Sequence, residues 1–375
     1  MAVAPMRTLI VGAGITGATT ARILHDARRA LEFAGDVVVW EKNNIAGGRM
    51  MARSFRKDRR THVDMGAQYL TKFTAANDDI RQLLAKEKQL APFNDGAIAQ
   101  DPSRAPSPYT EHAVSPNPLG FRAMVEHLLQ DAEVHLSRSI ESFEVMDEDR
   151  IKVVSSDGHQ EIVNSLVLTC PTPNLLPVIE ASNVKPTPEQ LHAFQRVQFS
   201  QRIAVALLFD PSVAHDVRAL GWTSKYVCKD EDDVVRYLCW DNLKKQPSSS
   251  DSEPFTLLVH TGVPFGSKFM DKKELNDEIM KTIVASVKKL VPFLPEPRDI
   301  LLHRWRISQA TTTYNEENVE EAPASIVLHT KPLVVVAGDA FLGSVFDNCL
   351  LSAKSAAKTI IEHQQKNAAT KGSSL

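Results

Sequence analysis

The shortages in this sequence narrow its class before any motif is read. Aromatic residues make up only 6% of its 375 positions, and cysteine occurs four times (Cys170, Cys228, Cys239, Cys349). The cysteines show no paired spacing and no Cys-x-x-Cys, which argues against a disulfide framework or a zinc site and fits a reducing compartment. Charge of one sign is also scarce. The formal net charge is −3, with no basic stripe or long like-charge block, so nucleic acid and anionic membrane surfaces are poor partners. No apolar run approaches the length of a membrane span. The first apolar run doubles as a nucleotide-binding strand, so no cleavable signal is read and a cytoplasmic location is expected, with secretion or a peroxisomal address left open. Ser373-Ser374-Leu375 lacks the basic middle residue of a Ser-Lys-Leu ending, and residues 365–375 read as a disordered, solvated tail.

What is present begins at Leu9-Ile10-Val11, a short buried-strand pattern. It runs into Gly12-Ala13-Gly14-Ile15-Thr16-Gly17 and then into helix-compatible sequence. Strand, glycine turn and helix N-terminus form the context in which Gly-x-Gly-x-x-Gly reads as a dinucleotide site. Gly12 serves the tight turn, Gly14 lets a pyrophosphate approach the backbone, and Gly17 allows close helix–strand packing. The first helical N–H groups then face the phosphates. A second strand, Val37-Val38-Val39-Trp40, ends in Glu41, whose carboxylate is placed to take the hydroxyls of an adenosine ribose. Ala46-Gly47-Gly48-Arg49-Met50 adds a second glycine pair and an arginine able to close over the pyrophosphate, which favours FAD over NAD.

Val63 to Tyr69 admits two readings. In a flavin protein Gly66-Ala67 brings backbone to the isoalloxazine edge and Gln68-Tyr69 project near the ring; alternatively the segment is a turn capped by Asp64. Six prolines mark residues 92–118 as an irregular excursion. A helical pattern over 120–131 leads to Val134-His135-Leu136. Strand-like stretches follow at 142–145 and 151–154, and a buried strand at 165–170 is stopped by Pro171 and Pro173.

The expected organisation is α/β and discontinuous. A Rossmann-type FAD-binding domain takes residues 1–76, 116–176 and 292–364. A mixed β-sheet and helix substrate domain takes 77–115 and 177–291, with strands at 203–209, 234–240 and 255–260 and an amphipathic helix at 272–290. The chain end returns to the cofactor. The strand Leu333 to Ala337 delivers Gly338-Asp339, with Asp339 placed for ribityl hydroxyls or phosphate. A small-residue helix from Asn348 aims its dipole at the flavin N1–O2 locus.

These residues, together with Trp40-Glu41-Lys42, Asp241-Asn242-Lys244, His260-Thr261, Val263-Pro264-Phe265-Gly266, Trp305-Arg306, Ser308-Gln309 and Phe346-Asp347, are distributed nearly end to end. In them the chain resembles the renalases, flavoproteins of p-hydroxybenzoate-hydroxylase-like fold related to the flavin amine oxidases. The resemblance implies an enzyme with non-covalent FAD that oxidises the 2- and 6-dihydro isomers of NAD(P)H to NAD(P)+ and passes the electrons to O2, giving H2O2. It implies Thr16, Arg49, Gln68 and Tyr69 as FAD contacts, and Ile15, Lys42, Gly48 and Val134 complete the expected cofactor set. Ile307 stands where vertebrate renalases carry histidine, and the loops 92–118 and 310–324 also differ, so the pocket departs from theirs in detail.

A dihydropyridine becomes aromatic on losing hydride, so the site must chiefly hold the donor carbon over flavin N5. Tyr69, Asn242, His260 and Trp305 are the pocket candidates. His260 reads equally as a satisfied sheet histidine and Trp305 as core. No metal is called for. The rival readings are a polyamine or monoamine oxidase, for which no aromatic pair stands out, and a non-catalytic flavin- or NAD-binding sensor. Cys349 lacks the setting of covalent flavin attachment and reads as a small buried hydrophobe.

Overall fold

The computed structural model describes residues 6–71, 73–103, 105, 107–246, 250–315 and 322–372. Its chain forms two compact units: one from residues up to Gly48, Val125–Gln198 and Ala310 onward, the other from Arg49–Met124 and Phe199–Gln309. Residues 49–76, 116–124 and 292–309, expected with the nucleotide domain, pack in the second unit, whereas 177–198 pack in the first. The physical reason lies in two elements. The hairpin Ala52–Ser54 with His62–Asp64 puts Phe55, Val63 and Met65 into the second unit's core, and Asp299–Trp305 is an edge strand of that unit's sheet.

In the first unit the central strand Arg7–Val11 lies between Asp36–Trp40 and Ser165–Leu168, parallel to both. Glu133–His135 extends one side, and Leu333–Ala337 extends the other, followed by the antiparallel edge Ser325–Thr330. The runs Leu9-Ile10, Val38-Val39 and Leu166-Val167 are fully buried because a parallel sheet is covered on both faces. Asp36–Trp40 and Glu133–His135 build out one side of Arg7–Val11 and the later Ser165–Leu168 the other, so the glycine turn emerges at a topological switch point, where such sheets bind ligands. Helix Ile15–Arg29 packs on helix Phe346–Gly372 through small side chains, among them Ala18, Ala21, Ala353 and Ala357, all essentially inaccessible. The terminal helix overturns the disordered tail expected from residue 365: it continues to Gly372, and Gln365 Nε2 donates to Glu32 O at 3.3 Å. Ser373-Ser374-Leu375 lies outside the described residues.

The second unit is built on a sheet ordered Asp299–Trp305, Arg202–Phe209, Phe255–Thr261, Val235–Trp240, Ser224–Tyr226, Ile98–Ala99. Alternation along each strand gives it two faces. One carries Ile203, Val205, Leu207, Leu257 and Trp240 and is covered by helix Asn276–Leu290 through Ile279, Ile283 and Val287. The other carries Ala204, Ala206, Tyr237, Cys239, Leu258 and Leu301 under the Phe55–Met65 hairpin. Residues 92–118 are more regular than expected: Ala91–Phe93 pairs with His112–Val114, and Ile98–Ala99 joins the main sheet. No helix among the described residues is long and apolar enough to cross a membrane.

Candidate functional site

The glycine turn has the geometry its spacing implies. Gly12 sits at φ +111°, and a Cβ on Gly17 would lie 2.0 Å from the Gly12 carbonyl oxygen, so helix and strand touch through bare backbone. A Cβ on Gly14 would meet nothing within 4 Å among the described residues. Gly14 caps the 15-residue helix Ile15–Arg29, whose first turn holds no acidic residue and receives no side-chain cap. Its leading N–H groups thus meet no acidic side chain of their own first turn, and such unsatisfied donors suit a pyrophosphate.

Glu41 is buried at the end of its strand, with Oε2 accepting from Ala13 N at 2.9 Å and Oε1 from Asn43 N at 2.9 Å. The expected ribose acid is thus locked onto the glycine turn itself. The second glycine pair joins it: Gly47 N donates to Ala13 O at 2.9 Å, and Gly48, at φ +53°, packs on Gly14. Lys42 is exposed and Val134 half-buried. Across the sheet Gly338, at φ +136°, donates its N–H to Ser352 Oγ at 2.8 Å, and buried Asp339 accepts from Ser344 Oγ at 2.5 Å. Asn348 lies in the first turn of the terminal helix, its side-chain amide donating to Leu342 O. The first unit therefore brings Gly12 through Gly17, Glu41 and Gly48 together.

In the second unit, Arg49 Nη1 donates to Ser308 O at 3.1 Å, and Ala67 N donates to Arg49 O at 3.0 Å. A Cβ on Gly66 would stand 1.9 Å from that same oxygen and 3.1 Å from the Trp305 ring, so the turn is wedged against both. Gln68 differs from expectation. Its side chain turns inward, Nε2 donating to the carbonyls of Asp64 (2.8 Å), Gly66 (3.1 Å) and Ala67 (3.3 Å). Tyr69 is half-buried, its hydroxyl 2.6 Å from that of Tyr226, and burial, helped by Tyr226, raises its pKa.

Four pocket candidates divide three to one. Tyr69, His260 and Trp305 belong to one face of the sheet, because Met65 O accepts from both His260 Nε2 (3.0 Å) and Trp305 Nε1 (2.9 Å) and Tyr69 packs on the same core. Asn242 is drawn away: it exchanges hydrogen bonds with Thr256, its N donating to Thr256 Oγ1 at 3.2 Å and its Oδ1 accepting from Thr256 N at 3.1 Å. Thr256 is roughly 13 Å along the strand from His260.

The same face holds a cross-strand row that composition concealed. Tyr226 pairs with Tyr237, Tyr237 with His260, His260 with Ala204, and Ala204 with His303. Trp305 packs edge-on against His303 at 4.2 Å between centroids. Burial lowers His260 to about 4 against its Met65 hydrogen bond, with Arg202 adding to the effect. Burial, then the Arg53 charge, lowers His303 to about 4 as well. Both imidazoles are neutral at pH 7. Strand alternation was the only sequence signal for this row, since each member comes from a different strand.

Sequence reading also missed a buried ionic cluster. Lys244 Nζ, fully inaccessible, meets Asp64 Oδ2 and Asp241 Oδ1, each at 2.8 Å, and Gln68 Oε1 at 3.2 Å. Lys245 Nζ meets Asp241 Oδ2 at 2.6 Å. Burial pulls the Lys244 ammonium down, but the Asp241 and Asp64 carboxylates outweigh it and its pKa is raised. The spacing Asp241, Lys244, Lys245 puts all three on one helical face, though three charges in five residues read as a solvated turn.

The family described as flavin containing amine oxidoreductase matches residues 112–361, and a NAD(P)-binding Rossmann-like domain matches residues 10–86. Mouse (Mus musculus) renalase is 27% identical over 360 residues, covering 94% of this chain and 98% of renalase. Among solved structures, a putative protoporphyrinogen oxidase from Exiguobacterium sp. aligns with TM-score 0.67 at 13% identity, over 95% of this chain and 98% of the other. A redesigned putrescine oxidase aligns with TM-score 0.66 at 12% identity, over 95% and 99%. At those identities the two structures speak to fold alone.

Proposed function

The chain belongs to the family of flavin-containing amine oxidoreductases, with FAD as its cofactor, and from that premise we propose that it oxidises 2- and 6-dihydro isomers of NAD(P)H. The overall change is dihydro-NAD(P) plus O2 plus a proton to NAD(P)+ plus H2O2. FAD, when bound, would supply the two-electron acceptor and the route to oxygen.

The observation that carries the proposal is the uncharged aromatic row Tyr226, Tyr237, His260, Ala204, His303, flanked by Trp305. Loss of hydride turns a neutral dihydropyridine into a pyridinium cation, so positive charge develops on a flat ring. Aromatic faces attract such charge and stack on such a ring. A protonated imidazole would oppose it, and burial keeps His260 and His303 unprotonated. The residues need only bind and orient, because the gain of aromaticity drives the transfer.

A second reading, amine oxidation, is favoured by one observation: the Tyr69 and Tyr226 hydroxyls lie 2.6 Å apart, a two-ring set that suits an alkylamine. Anaerobic mixing of the FAD-loaded protein with 2- and 6-dihydro-NAD, β-NADH and a panel of amines separates the two. Fast flavin bleaching by the dihydro isomers, with β-NADH and amines slow, is the expected result. Bleaching by an amine alone would sink the proposal in favour of the second reading, and bound flavin that nothing bleaches would leave a sensor. The bleaching rate should be flat down to about pH 5 and fall through pH 4, where the two histidines of the folded protein charge.

A further inference from the structure

The cluster around Lys244 is expensive to bury and sits beside the turn at Gly66, which tolerates no side chain. Its formal charges cancel: Asp64 and Asp241 against Lys244 and Lys245, with side-chain exposures from 0 to 4%. Replacing such a set with apolar residues is often neutral or stabilising, so stability alone is a weak account of it. Its bonds instead converge on backbone. Asp64 Oδ1 accepts from Phe121 N at 3.1 Å, and the approach is so close that a Cβ on Gly120 would lie 1.9 Å from that oxygen. Lys245 Nζ reaches the carbonyls of His62 (3.3 Å) and Pro118 (3.4 Å). Lys244, its ammonium 5.7 Å over the Phe121 ring, grips Gln68 Oε1, and the Gln68 amide in turn holds three carbonyls of the turn between Asp64 and Ala67.

We propose that Lys244 is a positioning residue for the cofactor: acting through Gln68 and Asp64, it sets the height and tilt of the Gly66–Ala67 peptide presented to the flavin ring. The proposal rests on reading that peptide as cofactor-facing. Gln68 has two jobs that conflict unless something orients it. Its NH2 group must face the turn, which leaves Oε1 facing the interior, and an ammonium is the strongest donor available to fix that orientation. The carboxylates keep the ammonium charged. Without Lys244 the amide is free to flip and the turn loses its template.

The test uses full-length protein and three readouts: FAD dissociation constant by fluorescence quenching, the visible spectrum of the bound oxidised flavin, and Tm. K244M and Q68M should each weaken FAD binding by roughly tenfold, the loss of about one hydrogen bond, and displace the same flavin absorption band. The double variant should be no worse than the poorer single one, because both cut one chain of contacts. D64N/K244M restores charge balance, and the amide oxygen introduced still accepts from Phe121 N–H; it should recover Tm without recovering the spectrum. The proposal is overturned if K244M lowers Tm while FAD affinity and spectrum stay as in the wild type, or if the effects of K244M and Q68M add. Should K244M not fold, D64N/K244M against Q68M makes the same comparison. A wild-type chain that takes up no FAD would overturn the cofactor reading instead, before any variant is made.

Discussion

Leu31 occupies the position where a helix of this kind ordinarily ends in glycine. Helix Ile15–Arg29 closes with Leu31 N donating to Arg28 O at 3.1 Å and Glu32 N to Ala27 O at 2.9 Å, a Schellman pair around Ala30. That motif needs a left-handed residue between its bonds, and Leu31 supplies it at φ +62° while 92% exposed. A leucine there bears the steric cost of the left-handed region and buries nothing in return. L31G should therefore raise stability by about 0.5–1 kcal/mol, read as an increase in urea midpoint with unchanged m-value. A decrease would mean that the side chain has a partner in solution. At the opposite extreme, G17A should lower stability by about 1–3 kcal/mol and abolish FAD uptake, since its methyl would sit 2.0 Å from Gly12 O. The same tools, denaturant unfolding and flavin fluorescence, read both variants.

Among the elements, what was legible in the sequence is what short-range chemistry dictates. Strand, glycine turn and helix are consecutive, so the pattern at residues 9–17 carries its own context, and Glu41, Gly48 and Gly338 follow from neighbouring strand ends. The aromatic row was not legible, because cross-strand partners such as His260 and Tyr237 are set by register, not by spacing. Asn242 misled for the same reason: only the pairing shows that Thr256 occupies it. Lys244 meets Asp64 across 180 positions, a distance at which charge pattern carries no information. The row has a measurable signature. Folding depresses two histidines from 6.5 to about 4, so the native state resists protons that the unfolded chain accepts. Stability contributed this way is present above pH 6.5 and is lost as pH falls toward 4, by at most about 1.4 kcal/mol per pH unit for each histidine. H303Q should flatten that slope by close to half; an unchanged slope would place the titration elsewhere.

On the scale of the whole molecule, the chain order makes each unit depend on distant segments. The first unit's sheet runs from Arg7–Val11 to Leu333–Ala337, and the strand Ser165–Leu168 has the latter as its outer neighbour. Helix Phe346–Gly372 covers the helix that follows the glycine turn and, through Ser352, holds the Gly338 backbone. A chain stopped after residue 309 keeps the glycine turn and Glu41 but loses this strand, this helix and Asp339. It should fail to bind FAD and should lose the single cooperative transition expected of an intact sheet. A chain stopped after residue 366 is the matched control. It retains Gln364, whose Oε1 accepts from Ala34 N at 3.1 Å, and Gln365, which bonds Glu32 O. That variant should bind FAD as the full chain does. Flavin retained by the 309-residue form would mean that the glycine turn binds the dinucleotide without its second flank. The cofactor would then be held by the N-terminal motif alone, and the return of the chain end would serve only the sheet.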